Sequence, residues 1–216
     1  MQTNEFIEQL SAQLEPVRVL RSPGLRAVFW LAMVGAVSTA LVMRYAHMDS
    51  VLQRLAVPRI ALECVATALT AITAIVAAFE LSVPDRSPRW AWLPLPWFVL
   101  WLAASGLGCL RNGLGLHGPA GVFGHSGDCF AFITAASVPL AVALFWMLRR
   151  ARPIAPLPVA ALGTLGVAAT AAFVLEFFHP FDVTVIDLSA HLAAVGLVVL
   201  LGMAWRRPLL DTDSAN

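Results

Sequence analysis

Long apolar runs separated by short polar segments dominate the pattern of this chain from residue 27 onward. About 20 consecutive apolar residues suffice to cross a hydrocarbon core that is roughly 30 Å thick. Six runs meet this requirement, and we predict one transmembrane helix in each: Ala27–Met43, Ile60–Phe79, Trp90–Leu110, Cys129–Leu148, Pro158–Leu175 and Leu188–Trp205. Transmembrane β-strands would alternate apolar and polar residues over about ten positions, which these runs do not do. The pattern therefore predicts an all-α bundle that spans a membrane.

The composition agrees with an integral membrane protein. Of the 216 residues, 59% are hydrophobic and only 12% are charged, whereas ordinary soluble domains carry about 25% charged residues. The formal net charge of +1 provides no bulk attraction to nucleic acid, so we expect no direct binding to DNA.

The distribution of arginine predicts the orientation of the spans, because positive residues favour the cytoplasmic side. With the N-terminus in the cytoplasm, ten arginines fall inside and four outside, and the first outer loop, with three, is the exception. Both termini are then cytoplasmic. We predict a cytoplasmic head at residues 1–26, a membrane domain at 27–205 and a disordered tail at 206–216.

Two predicted spans carry a small residue at every fourth position. The second span has Ala66, Thr70, Ala74 and Ala78, and the fifth has Ala160, Thr164, Ala168 and Ala172. Such stripes let helix backbones approach closely, although the abundance of alanine explains them equally well. Pro139, in the middle of the fourth span, is predicted to kink it.

The head contains a short amphipathic helix. Its apolar positions recur at helical spacing, and with the arginine that follows they form the predicted partner-binding set: Phe6, Ile7, Leu10, Leu14, Val17 and Arg18. Such a helix can lie on a lipid surface or dock into the groove of a protein. Its polar face carries Glu5 and Glu8, and anionic headgroups repel acidic residues. We therefore favour a protein partner.

Residues that bind metals gather in the predicted outer segments. They are His125, Asp128, Cys129, Glu176, His179, Asp182, Asp187 and His191. These residue types suit zinc or copper, but no CxxC or HxxxH pair is present, and each histidine alone is equally consistent with an ordinary loop residue. Asp187 and His191 are four residues apart and share a helix face.

The three cysteines all fall in the outer half of the predicted bundle. Cys64 lies inside an apolar helix, where a thiol acts as a small hydrophobic side chain. Cys109 ends the third span. Cys129 begins the fourth span beside Asp128, and the dipole at a helix N-terminus stabilises a thiolate, although the neighbouring carboxylate opposes this. We predict that Cys129 is a reactive thiol.

Several segments together resemble the NrsF-type anti-sigma factors over nearly the whole chain. They are the head NEFIEQLSAQLEPVRVLRSPGLRAVFWLA, the six spans, the block GDCFAFITAASVPLAVALFWMLRRARP, and the motif FHPFD followed by SAHL. The resemblance implies a bacterial inner-membrane protein whose head holds an extracytoplasmic-function sigma factor inactive. It also implies an outer surface that senses heavy metals or oxidants through cysteines. No resident cofactor is implied, only a heavy-metal effector.

The resemblance assigns the first sensor cysteine of the family to Cys129. The second sensor cysteine follows a histidine in the last outer loop, where this chain has His179 followed by Pro180. Two arrangements therefore stay open. Cys109 acts as the second thiol, or Cys129 binds metal directly together with His179 and His191.

A small transporter of metal or solute is the alternative function. Transport usually requires polar groups near the membrane midplane, but the acids Glu63, Glu80, Glu176 and Asp187 lie toward span ends. A thiol oxidoreductase would need a CxxC pair or an acid–base set, neither of which the sequence offers. We expect no enzymatic activity.

Overall fold

The computed structural model describes residues 3–12, 19–112, 122–178 and 184–210, and every regular element within these ranges is helical. The helices are α1 Thr3–Ala12, α2 Pro23–Tyr45, α3 Met48–Leu55, α4 Pro58–Leu81, α5 Leu95–Asn112, α6 Val122–Leu148, α7 Pro156–Leu175, α8 Val185–Ala204 and α9 Arg206–Leu210. Short 3-10 turns at Pro88–Trp92 and Arg149–Ala151 precede α5 and follow α6.

Six of the described segments are long and apolar enough to cross a membrane. They are Pro23–Tyr45, Pro58–Leu81, Pro88–Leu107, Gly127–Ala151, Pro156–Leu175 and Val185–Ala204. Each coincides with one of the predicted spans, with borders that differ by a few residues. The predicted fold class, an all-α bundle with six spans and a short N-terminal helix, is confirmed.

The local sequence explains where these helices begin. Proline occupies the first turn of α2, α4 and α7, where its missing N–H costs nothing and its fixed φ suits a helix. A capping box formed by Thr184 and Asp187 starts α8. Pro139 lies within α6, which stays helical from Val122 to Leu148, so the kink predicted there stays a prediction.

The centre of the bundle is the pair formed by α4 and α7, which is the most extensive interface between described helices. All eight residues of the two predicted small-residue stripes are buried. Close approach is evident at Gly166 of α7, where an added Cβ would lie 2.7 Å from Ile75 of α4. The stripes therefore do pack, and alanine abundance alone does not account for them.

The remaining spans surround this central pair and expose large apolar side chains outward. Phe29, Val37, Val142, Trp146 and Leu200 are each more than half exposed. Apolar patches of this extent are rare on soluble monomers and suit contact with lipid tails. We call the end of the bundle where α2 begins the head end, and the opposite end, where α3 lies, the cysteine end.

Two short helices lie outside the predicted spans. In the first predicted outer loop, α3 buries Val51. Near the C-terminus, α9 buries Leu210 in the main hydrophobic cluster. The prediction of a disordered tail at 206–216 is therefore wrong for Arg206–Leu210, because Leu210 packs against the bundle. Residues 211–216 lie outside the described ranges.

Candidate functional site

Cys129 is buried between three helices at the cysteine end of the bundle. Its side chain is 4% exposed. It belongs to a buried cluster that α6, α7 and α8 build together, with Ile133, Ala171, Ala172, Leu175 and Ala194. Any change in the size or charge of this side chain therefore acts on all three helices.

The reason given from the sequence for a reactive thiolate at Cys129 is wrong in one respect. The residue does not stand at a helix N-terminus, because α6 begins seven residues earlier, at Val122. The effect of a helix dipole fades within the first turn, so it does not reach this thiol. Electrostatic influence comes instead from the carboxylates of Asp187, Asp128 and Glu176.

Asp187 and His191 lie together on α8, but their contact uses the backbone. The Asp187 carboxylate accepts hydrogen bonds from the backbone N–H and the hydroxyl of Thr184, at 3.1 and 2.7 Å, and so caps the helix. His191 Nδ1 donates to the carbonyl oxygen of Asp187 at 2.8 Å. Since a carbonyl only accepts, the proton of the imidazole is on Nδ1. Both residues are buried.

The predicted metal site is tested only in part. Among the described residues, no group of three or more histidine, cysteine or acidic side chains could hold a metal ion. His179, Asp182 and the side chain of His125 lie outside the described part of the chain. The set of Cys129, His179 and His191 therefore stays a prediction.

The predicted thiol partner of Cys129 is also untested. Cys109 lies in α5, but its side chain is outside what the structure describes. Cys64 and Cys129 are both buried. Cys64 lies beside both apolar and charged side chains, among them Phe177, Arg54 and Glu176, so its predicted role as a small hydrophobic side chain stays a prediction.

A polar cluster that the sequence reasoning did not assemble lies beside these residues, where α3, α4 and α7 meet. Arg59 Nη1 is 2.8 Å from the buried Glu63 Oε1 one turn along α4, and Arg54 Nη1 donates to the carbonyl oxygen of Glu176 at 3.1 Å. The first predicted outer loop has three arginines, which is more than the expected bias of positive charge toward the cytoplasm allows. The contacts of Arg54 and Arg59 explain two of the three, because each has a partner in the fold. The four-residue spacing of Arg59 and Glu63 could have predicted their ion pair from the sequence.

Glu176, the residue that follows α7, has an altered proton affinity in this cluster. Burial and the nearby carboxylate of Glu63 raise the pKa of Glu176 to about 7, and the guanidinium groups of Arg54 and Arg59 oppose the rise. The residue is therefore partly protonated near neutral pH.

The first helix presents an exposed apolar face. Phe6 and Ile7 are 49% and 57% exposed, and the polar side of α1 carries Glu5 and Glu8. The side chain of Leu10 and all of Leu14, Val17 and Arg18 lie outside the described residues. The predicted partner-binding set is thus tested only at its first two members, both of which are accessible.

At the head end, Arg26 ties the beginning of α2 to two other helices. It donates from Nη2 to the carbonyl oxygen of Met147 in the last turn of α6. Its guanidinium also lies 5.1 Å from the ring centroid of Phe79 in α4. Arg26 is 8% exposed. The helix that follows the head is therefore fixed to the helix that carries Cys129.

Comparison with known proteins gives one informative finding. The model of the NrsF family, described as negative regulator of sigma F, matches residues 10–211. This range contains all six spans and Cys129, and it begins after Phe6 and Ile7. No curated protein and no solved structure matches the chain.

Proposed function

The chain belongs to the NrsF family, negative regulators of a sigma factor, and from this premise we propose that it sequesters an extracytoplasmic-function sigma factor at the bacterial inner membrane. Its head would face the cytoplasm and its cysteine end the periplasm. Metal or oxidative stress sensed around Cys129 would release the sigma factor. No chemical step by the chain itself is needed, since sequestration requires only a stable complex.

The observation that carries the docking half of this proposal is the exposed apolar face of α1. An amphipathic helix that leaves Phe6 and Ile7 accessible can lay them into a hydrophobic groove of a partner. Its acidic polar side disfavours an anionic lipid surface. A sigma factor in the cytoplasm is the partner that the family membership supplies.

Support for the sensing half comes from the continuity of α6. Cys129 and Met147 are eighteen residues apart on this one helix, a distance of about 27 Å along its axis. The carbonyl oxygen of Met147 accepts the hydrogen bond from Arg26, and Arg26 lies in the first turn of α2, at the end of the head. A displacement of α6 that starts at Cys129 would thus act on Arg26, where the head joins α2.

The experiment that tests docking uses the full-length chain with an affinity tag, co-expressed with each extracytoplasmic-function sigma factor of the host. Ile7→Asp places a charge in the proposed contact, while Ala12→Asp places the same charge at another exposed position of α1, on the opposite side of the helix. We expect Ile7→Asp to reduce the co-purified sigma factor at least tenfold, because burying an unpaired carboxylate is costly.

Ala12→Asp should retain the sigma factor at the wild-type level. Both variants should reach the membrane fraction in equal amounts, which excludes a loss caused by poor insertion. Equal recovery of the sigma factor with Ile7→Asp and with Ala12→Asp would contradict docking through this face.

A further inference from the structure

Two pairs of arginines come together at the head end of the bundle. Arg149 and Arg150 follow α6, in the turn Arg149–Ala151, and Arg206 and Arg207 begin α9. The two pairs are far apart in sequence, but α9 packs against this turn and against α6. We call these four residues the arginine cluster. The packing of a short C-terminal helix therefore places four positive charges on one surface.

The arginine cluster lies where the apolar spans end. The segment Gly127–Ala151 ends in the turn that carries the first pair, and the segment Val185–Ala204 ends just before the second pair. Trp146 and Trp205 adjoin the two pairs and are 53% and 63% exposed. The guanidinium of Arg149 lies 3.9 Å from the ring centroid of Trp146. Exposed tryptophans at span ends are typical of the boundary between hydrocarbon and headgroups, so the cluster lies at the level of phospholipid phosphates.

The charges of the cluster attract an anion. Within the described ranges, none of the four arginines forms an ion pair with a carboxylate. Arg206 donates one N–H to the carbonyl oxygen of Met203 at 2.7 Å, and Arg150 and Arg207 are exposed. Like charges that are held close together repel one another, and an anion between them offsets the repulsion. Since a guanidinium binds phosphate oxygens through two parallel hydrogen bonds, a phosphate suits this surface.

The surface beside the cluster indicates which molecule carries that phosphate. Trp146 on α6 and Leu200 and Leu201 on α8 are each more than half exposed, one to two turns before the arginines. A phospholipid offers acyl chains to these side chains and a phosphate to the arginines, whereas a free phosphate ion uses only the arginines. Asp211 and Asp213 follow α9 in the sequence, outside the described residues, and their carboxylates offer charge without an apolar part. A phospholipid matches both halves of the surface.

We propose that the arginine cluster binds the headgroup of an anionic phospholipid, whose acyl chains lie along the exposed sides of α6 and α8. Basic surfaces at the cytoplasmic ends of membrane helices attract anionic lipids, and the arginine distribution predicts that the head end is cytoplasmic. A bound lipid would hold α9 against the end of α6, close to Met147, whose carbonyl oxygen binds Arg26. The proposal does not depend on sigma-factor binding.

The test uses the full-length chain in detergent micelles, with dioleoylphosphatidylglycerol as the probe and native mass spectrometry as the readout. Dioleoylphosphatidylcholine has the same acyl chains and no net charge, so it measures binding that does not depend on charge. The cluster variant combines Arg150→Gln with Arg207→Gln and removes one exposed arginine from each pair. The matched control combines Arg44→Gln with Arg89→Gln, because it removes two exposed arginines outside the cluster and has the same net charge.

We expect one saturable phosphatidylglycerol adduct with the wild type and with the control, at least tenfold tighter than the phosphatidylcholine adduct. The cluster variant should weaken phosphatidylglycerol binding at least tenfold, since each arginine near an anionic headgroup is worth about a factor of five. Its phosphatidylcholine binding should not change. Circular dichroism checks that the helices are retained, and a folded cluster variant that binds phosphatidylglycerol like the wild type would overturn the proposal.

Two further outcomes would also overturn the proposal. One is an equal loss of phosphatidylglycerol binding in the control variant, which would show attraction by the overall charge without a defined site. The other is a wild type that forms no such adduct until Asp211→Asn and Asp213→Asn are introduced together, which would assign the cluster to the chain's own C-terminal residues.

Discussion

Glu176 is the side chain whose titration should be visible in the stability of the protein. Its pKa is raised to about 7 from an ordinary value of 4.5, so between these pH values the folded chain holds a proton that the unfolded chain releases. The free energy of unfolding must then fall as the pH rises through this window. We expect Glu176→Gln to remove this fall and to raise the free energy of unfolding at pH 8 by about 1–3 kcal/mol.

Thermal unfolding in detergent between pH 5 and pH 8.5 measures this effect. Asp49→Asn, which neutralises an exposed carboxylate on α3, is the control and should leave the pH dependence of the wild type in place. If the stability of Glu176→Gln fell with pH as steeply as that of the wild type, the pKa of Glu176 would not be raised in the folded chain.

Cys129 and Cys64 form a matched pair for the sensing hypothesis, since both are buried toward the same end of the bundle. Only Cys129 belongs to the cluster that joins α6 to α7 and α8, where an oxidised or metal-bound sulfur would force helices apart. We expect Cys129→Ser to abolish induction of a sigma-dependent reporter by oxidants or heavy metals, and Cys64→Ser to retain it.

Resting repression should be equal in both serine variants, which shows that the sigma factor is still held. Full induction in Cys129→Ser would contradict the assignment of this thiol as the sensor. The burial of Cys129 also means that reagents reach it only when the helices separate.

At the scale of whole helices, α8 packs tightly against α7 at Gly202. An added Cβ there would lie 2.2 Å from Thr164 Cγ2. Thr164 cannot move aside easily, because its hydroxyl donates to the carbonyl oxygen of Ala160 at 2.7 Å. We expect Gly202→Ala to reduce the free energy of unfolding by about 1–3 kcal/mol.

Gly196→Ala on the same helix is the control, because the Cβ meets open space and alanine favours a helix over glycine by up to about 1 kcal/mol. The midpoint of thermal unfolding in detergent should therefore fall for Gly202→Ala and stay level or rise for Gly196→Ala. Equal midpoints for the two variants would mean that α8 can shift away from α7 without cost.

For the molecule as a whole, the sequence predicted those features that depend on a long local pattern. Twenty apolar residues identify a span whatever surrounds it. The four-residue stripes on α4 and α7 indicated possible close packing, although the abundance of alanine explained them equally well until the structure showed the contact. Short helices do not carry such a signal. The packing of Val51 in α3 and Leu210 in α9 depends on distant parts of the chain, so neither helix followed from its own few residues.

In the candidate site, too, local spacing could be predicted from the sequence and contacts between distant residues could not. The spacing of Asp187 and His191 correctly placed them on one face of α8, but the sequence could not show that the carboxylate caps the helix. The start of α6 was misjudged because glycine and polar residues before Cys129 indicate a loop. The cluster of Arg54 with Glu176 joins residues that are far apart in sequence, and only the packing of α3 against α7 brings them together.

The orientation of the whole molecule is the premise of the regulatory proposal, and two exposed aspartates can test it. Asp49 lies in α3 at the cysteine end, and Asp85 lies in the turn after α4 at the head end. The arginine distribution predicts that the first faces the periplasm and the second the cytoplasm. In spheroplasts, a membrane-impermeant maleimide should label Asp49→Cys well above the wild type and should label Asp85→Cys no more than the wild type, in which Cys109 contributes any background.

Inverted vesicles should reverse this result, so each variant is the control for the other. Background labelling from Cys64 and Cys129 should be low, because both thiols are buried. If Asp85→Cys were labelled in spheroplasts and Asp49→Cys only in inverted vesicles, the exposed face of α1 would lie on the side of the membrane without sigma factors. Docking and sensing would then have exchanged sides, and the proposed function would fail as a whole.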